Sequence, residues 1–250
     1  MMKWYLDEWG VRFAQGWGMT ETAPLGTTGR GVSTYRHSLM TEQEQFSNVT
    51  VAGIPCPGLQ LKLVDPEDFS KELPQDGKAQ GELLVRGPWV TTRYYNRYDD
   101  AATSKFPGNG WLATGDIASI AHGALIIRDR SKDVIKSGGE WVSSIDLENH
   151  IVALPEVAQC AVVAQPHPRW DERPVAVVIL TPGTAPSAEA LLATVREHCA
   201  SQFAKYELPD DVLVWTELPL TGTGKISKKD IRKQLEAEGY LLPDLRRAKL

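Results

Sequence analysis

The sequence predicts a mixed α/β and α+β chain, in which a strand-rich first part gives way to a small α+β unit. Two observations carry that expectation. Between positions 53 and 128, short apolar stretches alternate with Gly, Pro and charged turns, the rhythm of short strands. After about Asp133 the apolar spacing changes, and helical patterns alternate with compact apolar runs. The expected boundary therefore lies at 1–131 and 132–250.

Each element follows in order. Tyr5–Phe13 reads as a short element entering a polar loop, and Gly16–Arg36, rich in Gly and Thr, favours turns over a long regular element. Glu42–Asn48 is polar surface. Gly53–Gly58 holds two prolines and forms a rigid turn, after which Leu59, Leu61 and Leu63 alternate with Gln60 and Lys62 as a half-buried strand. Asp65–Gln80 is a connection, and Glu82–Arg86 is a strand closed by Gly87-Pro88. Asp99–Lys105 suits a brief helix, while Trp111–Thr114, Ile117–Ile120 and Leu125–Arg128 suit three short strands.

In the second part, Ser143 followed by Asp146 marks a helix start, with Ile145, Leu147, Ile151, Val152 and Leu154 as its apolar set. Ala158–Ala164 and Val175–Leu180 are runs suited to buried strands. Ser187–Cys199 is a second helix with Leu191, Leu192 and Val195 on one side, and Val212–Trp215 is a strand. Ser227 and Asp230 open a last helix carrying Ile231 and Leu235.

Composition excludes several functional classes. The 250 residues are 42% hydrophobic and 24% charged, which supports a packed core and argues against a mainly disordered chain. A net charge of −5 gives no support to a general nucleic-acid binder. Cys56, Cys160 and Cys199 are widely spaced and form no Cys-x-x-Cys, so neither a disulfide framework nor a structural zinc site is expected. No signal peptide or long apolar run is visible, and the expected setting is a reducing, cytoplasmic one. His37, His122, His150, His167 and His198 show no metal spacing, and no Gly-x-Ser-x-Gly motif supports a serine nucleophile.

Four segments hold chemistry-bearing residues. In Gly16-Trp17-Gly18-Met19-Thr20-Glu21, the indole offers a stacking face, the glycines admit close backbone approach, Thr20 can donate to an oxyanion, and Glu21 can hold Mg²⁺. Taken alone, the same string more readily suits a tight turn with a buried Trp and a surface acid. It is not a dinucleotide fingerprint, because Glu21 stands where the third Gly belongs. Thr114-Gly115-Asp116 presents a carboxylate able to accept from a ribose diol or from its own turn. Asp129-Arg130-Ser131-Lys132-Asp133 is either a nucleotide contact through the Arg fork or a salt-bridged connection. Thr221-Gly222-Thr223-Gly224-Lys225 is a donor-rich loop whose Lys can meet phosphoryl charge or simply face water. It fails the P-loop test, since Pro219 replaces the first Gly and Ile226 the Ser/Thr.

Taken in order, these segments resemble the adenylate-forming superfamily of acyl-CoA synthetases, luciferases and peptide-synthetase adenylation domains. Gly81-Glu82-Leu83 with Arg86-Gly87-Pro88, Gly110–Asp116, Asp129–Gly139 and Pro219–Ile226 add to the resemblance, which spans nearly the whole chain. It implies that 1–131 is the C-terminal part of a large AMP-binding domain and 132–250 a small mobile domain. Trp17 and Gly18 would line the adenine site, Thr20 would contact phosphate or the acyl carboxylate, and Glu21 would bind Mg²⁺. Asp116 and Arg130 would hold the ribose, Lys132 would be the hinge, Lys225 would enter the site during adenylation, and Gly138 and Gly139 would border the pantetheine tunnel.

The implied activity is ligation of a carboxylic acid, with ATP and CoA as co-substrates, through acyl-AMP. Lys136–Glu148 and Trp170–Pro174 look most like the medium- and long-chain fatty-acyl branch. Arg93, Trp141 and Trp170 depart from common family residues at their positions. The phosphate loop and acyl pocket of a complete member would lie upstream of Trp17. An acyl-AMP ligase serving a carrier protein and a non-catalytic remnant that retains nucleotide or partner binding are the alternatives. A complementing fragment and a homodimer remain open as partners.

Overall fold

A computed structural model describes residues 2–11, 13–29, 41 and 51–240. The expected surface at 42–48 and the end of the Gly/Thr-rich stretch, 30–36, lie outside the described residues. The chain forms two compact units, 1–131 and 132–250, and the architecture is the mixed α and β arrangement that the sequence rhythm predicts.

The first unit begins with α1 (Met2–Trp9). Strands β1 (Gly16–Gly18) and β2 (Leu25–Thr28) then pair antiparallel around a single 3₁₀ turn at Thr20–Thr22, and β3 (Ile54–Pro55) adds to β2. Composition points to turns at 16–28, and the structure places short strands there. The reason is tertiary: Thr27 Oγ1 donates to the Ala52 carbonyl at 2.6 Å and accepts the Trp17 amide at 3.3 Å, tying the polar strand inward. Gly26 permits this packing, because a Cβ there would lie 2.4 Å from the Trp17 ring.

A four-stranded antiparallel sheet follows in the order β4 (Gln60–Val64), β5 (Gly81–Arg86), β6 (Leu112–Ala121) and β7 (Ala124–Arg130). The helix α2 (Asp100–Thr103) precedes β6, and its cap Asp99 accepts the Ala102 amide at 3.0 Å. Alternation sends Leu63, Leu83, Val85, Leu112, Ile120 and Leu125 into one core with Trp17, while Val64, Leu84 and Ala113 form a smaller cluster.

Trp111–Thr114 and Ile117–Ile120 read as two strands but fold as one. Leu84 pairs with Ala113 and Glu82 with Ile117, so Thr114, Gly115 and Asp116 bulge out of register. Gly115 takes φ +78 at that point, a conformation glycine supplies without a Cβ clash. The bulge, which looks like a turn in sequence, re-aims Asp116.

The second unit is built on the hairpin β10 (Val157–His167) and β11 (Asp171–Leu180). A smaller hairpin, β8 (Ile135–Ser137) and β9 (Glu140–Val142), joins the sheet through β11, and β12 (Asp211–Val214) runs parallel to β11. Helices α3 (Ser144–Ile151) and α4 (Ala188–Cys199) bury Leu147, Ile151, Leu191 and Val195 against Val162, Ala176 and Val178. On the alternate strand residues, α5 (Lys228–Ala237) buries Ile231 and Leu235 against Ala161, Val163 and Val177. Cover on both faces explains why the strands read as continuous apolar runs.

The three helices start where the sequence places them. Ser143, Ser187 and Ser227 accept the amides of Asp146, Ala190 and Asp230 at 3.1, 3.2 and 3.3 Å, satisfying donors that would otherwise be orphaned. Among the described residues, no helix is long and apolar enough to cross a membrane.

Candidate functional site

The first unit brings together three residues that the sequence singles out separately. Asp116, lifted by the bulge, is 2% exposed. Its Oδ2 accepts from Trp17 Nε1 at 2.7 Å, and its Oδ1 meets Arg130 Nε at 2.9 Å. The Arg130 side chain is 57% exposed, so its terminal nitrogens keep access to solvent or ligand while Nε is fixed. Burial pushes the Asp116 carboxyl above its ordinary range, and the Arg130 charge and the Trp17 N–H oppose that shift. Trp17 itself is buried in the core rather than standing free.

Strand β1 and the 3₁₀ turn set the neighbouring groups. Gly18 must be glycine, since a Cβ would lie 1.9 Å from the Pro24 carbonyl oxygen. Thr20 is exposed at the start of the turn. Glu21 is half-buried, and its Oε1 accepts from the Tyr94 hydroxyl at 2.5 Å. Burial and the Glu21 carboxylate push the Tyr94 phenol up to about 12, so Tyr94 remains a donor at neutral pH. The Glu21 carbonyl also accepts the Thr91 amide at 2.9 Å. Tyr94 is not among the residues the sequence singles out; its proximity to Glu21 has no local signal, because 73 positions separate them.

A second buried carboxylate supports the bulge. Glu82, 4% exposed on β5, accepts the Gly115 amide at 2.6 Å and the Ser131 hydroxyl. The Ser131 amide donates to the Gly115 carbonyl at 2.9 Å. Burial is the largest cause pushing the Glu82 carboxyl up, with Asp116 adding to it and the two donors opposing it. Glu82 thus ties Gly115, next to Asp116, to Ser131, next to Lys132.

The second unit holds the remaining residues. Gly138 and Gly139 form the β8–β9 turn at φ +65 and +90, and the Gly138 amide donates to the Trp170 carbonyl at 2.8 Å. The loop before α5 is closed by a bridge between Leu220 and Ile226. Within it the Thr221 amide donates to the Lys225 carbonyl at 2.7 Å, and the Lys225 amide donates to Thr221 Oγ1 at 3.2 Å. The Lys225 side chain is exposed.

Arg173 carries a dense set of contacts in this unit. It donates Nε and Nη2 to Asp210 at 2.8 and 2.9 Å, Nη1 to Ser137 Oγ at 2.8 Å, Nη2 to the Leu208 carbonyl at 2.9 Å, and Nη1 to the Tyr206 carbonyl. The guanidinium holds the Asp210 carboxyl below its ordinary range. Among the described residues, no group of three or more His, Cys, Asp or Glu is arranged to hold a metal.

Residues 1–95 match the AMP-binding enzyme family and residues 146–225 match the AMP-binding enzyme C-terminal domain. Over 94% of its length the chain is 42% identical to 3-methylmercaptopropionyl-CoA ligase of Ruegeria pomeroyi, and over 91% it is 42% identical to a long-chain-fatty-acid–CoA ligase of Thermus thermophilus. Each match takes in 41% of the relative, so the chain spans about two fifths of their length. ATP-bound MatB from Rhodopseudomonas palustris superposes with a TM-score of 0.78 at 28% identity, over 96% of this chain and 43% of that one. The anthranilate CoA ligase AuaEII, in complex with anthranoyl-AMP, gives 0.76 at 31% identity, over 95% of this chain and 43% of that one. Two family matches in chain order and relatives aligned across nearly all its residues identify the chain as a member of the AMP-binding enzyme family.

Proposed function

We propose that this chain supplies the nucleotide contacts, the metal carboxylate and the mobile lysine of an ATP-dependent acyl-CoA ligase. The observation that carries the reading is Asp116, a buried carboxylate fixed by Trp17 and Arg130 beside an exposed guanidinium edge. A carboxylate and an Arg fork side by side suit a ribose diol and the adjoining phosphate. Trp17 and Gly18 border the adenine in this reading, with Trp17 also aiming Asp116. The 1–131 unit is then the end of the large AMP-binding domain and the 132–250 unit the small mobile one, turning at Lys132.

In the first half-reaction, a carboxylate oxygen of the acid attacks the α-phosphorus of ATP. The new bond joins acyl oxygen to phosphorus, the bond to the β-phosphate oxygen breaks, and pyrophosphate leaves. Thr20 donates to an oxygen of the acid or the α-phosphate, and the Lys225 ammonium balances the charge developing there. In the second half-reaction, CoA thiolate attacks the acyl carbonyl and AMP leaves, with Gly138 and Gly139 bordering the pantetheine arm. Rotation at Lys132 removes Lys225 between the two steps, a gating role.

Glu21 fits Mg²⁺. One oxygen accepts from Tyr94, and a single protein carboxylate completed by phosphate and water is a common way of holding this ion. Bound there, Mg²⁺ would neutralise phosphate charge. A fatty acid is the first acid to test, since the Lys136–Glu148 stretch resembles that branch and relatives named for medium- and long-chain fatty acids align. Relatives named for methylmercaptopropionate, cinnamate and ferulate widen the panel. A cytoplasmic setting suits the free thiols of Cys56, Cys160 and Cys199.

Calorimetric titration of the 250-residue chain with AMP, alongside Asp116→Ala, tests the reading. At least tenfold weaker binding by the variant is the expected result. If neither this chain nor a longer protein that contains it binds adenine nucleotide, the reading fails.

A further inference from the structure

The Lys225 loop is joined to α5, and two ion pairs hold that helix to other parts of its unit. At its first turn, Lys228 Nζ lies 2.7 Å from Glu148 Oε1 and 2.5 Å from Ser144 Oγ, both on α3. The Lys228 side chain is 13% exposed, and Glu148 also accepts the Val162 amide at 2.7 Å. One turn further on, Arg232 Nη1 donates to Asp133 Oδ1 at 2.8 Å. Asp133 immediately follows Lys132, and both side chains of that pair are mostly shielded from solvent.

On the other side of Lys132, Ser131 is bound to Glu82 through its hydroxyl and to the Gly115 carbonyl through its amide. Lys132 is therefore flanked by one residue fixed within the first unit and one fixed within the second.

We infer that α5 is a rigid arm connecting Asp133 to Lys225, with Arg232 and Lys228 as the positioning residues that make it rigid. This rests on the proposed role of Lys225. A helix rises about 1.5 Å per residue and turns once in about 3.6 residues, so Lys228 and Arg232 stand about one turn apart and the arm has little slack. Ile231 and Leu235, both fully buried against β10 and β11, keep it from rolling. Any turn taken at Lys132 is passed by Asp133 to Arg232, along the helix, and on to the loop that ends at Lys225. Lys228 fixes the near end to α3, so the loop cannot lag behind its unit.

Amide hydrogen exchange on the 250-residue chain tests the arm directly. The comparison sets Arg232→Ala and Asp133→Ala against Arg232→Lys and against the reversed pair, Asp133→Arg with Arg232→Asp. In the alanine variants, exchange should rise at least tenfold both at Asp133–Val134 and at the Thr221, Gly224 and Lys225 amides. Arg232→Lys and the reversed pair should return both segments close to wild type, while β10 and β11 stay protected throughout. Acceleration at Asp133 with an unchanged loop would overturn the link. Uniform acceleration across 132–240 would also overturn it, because Arg232 would then serve general stability alone. The role of Lys225 is tested separately by adenylation in Lys225→Ala, so either idea can fail while the other stands.

Discussion

Trp17 and Asp116, 99 positions apart, are joined by an indole N–H donating to a buried carboxylate at 2.7 Å. The bond links β1 to the bulge of β6, and it holds the oxygen opposite the one that meets Arg130. Three residues from three separate motifs therefore act as one geometric unit.

Trp17→Phe keeps most of the apolar volume and removes the donor. The loss leaves one oxygen of a 2% exposed carboxylate unsatisfied, which costs about 1–3 kcal/mol. Denaturant unfolding of the first unit should show a loss of that order, and AMP affinity should fall with it. Unchanged stability would mean that the indole bond contributes nothing net.

Glu82→Gln reads the buried carboxylate behind the bulge. Its folded pKa is raised above the ordinary 4.5, chiefly by burial. A raised carboxylate favours folding fully below the unfolded value and loses that advantage as pH rises through the folded value. Wild type should therefore gain stability relative to Glu82→Gln as pH falls from 7 towards 4.5. The slope cannot exceed about 1.4 kcal/mol per pH unit for a single proton. Hydrogen exchange of the β5 and β6 amides at several pH values measures it, and a flat difference would rule out the raised pKa.

Arg173→Ala removes a guanidinium that is 6% exposed and bonded to Asp210, Ser137 and two carbonyls. Breaking a buried pair from one side costs about 3–5 kcal/mol, and Arg173→Lys should recover little, since an ammonium cannot reproduce the fork. Asp210 adds a pH signature of opposite sign to Glu82. Its pKa is lowered from 3.8 by Arg173, so its stabilising contribution is present above 3.8 and is lost as pH falls through the lower folded value. Thermal unfolding of the 132–250 unit in acid should show the loss in wild type and not in Arg173→Ala.

Lys225→Ala addresses the two half-reactions. The Lys225 side chain is exposed and its backbone is held by Thr221, so the substitution should leave the fold intact. In a longer protein that contains this chain, carboxylate-dependent ATP–pyrophosphate exchange should fall by about 10²-fold or more, the scale of losing one charge-stabilising group. Thioester formation from supplied acyl-AMP should remain within a few-fold. Equal loss in both steps would contradict alternation of the small domain.

Amino-acid order by itself determined the strand-rich first part, the change of rhythm near Asp133, the three serine-capped helices of the second unit and the family motifs. Those features depend on local chemistry: an oxygen at an N-cap, an apolar period, a Gly beside a Pro. Tertiary structure alone decided that Thr114-Gly115-Asp116 is a bulge within one strand, because β5 supplies the pairing that skips it. It also decided that Trp17 serves Asp116, that Tyr94 faces Glu21, and that Arg232 holds Asp133. Each of these contacts joins polar groups distant in sequence. No periodicity encodes such a pairing, because only burial from solvent makes each group depend on its partner.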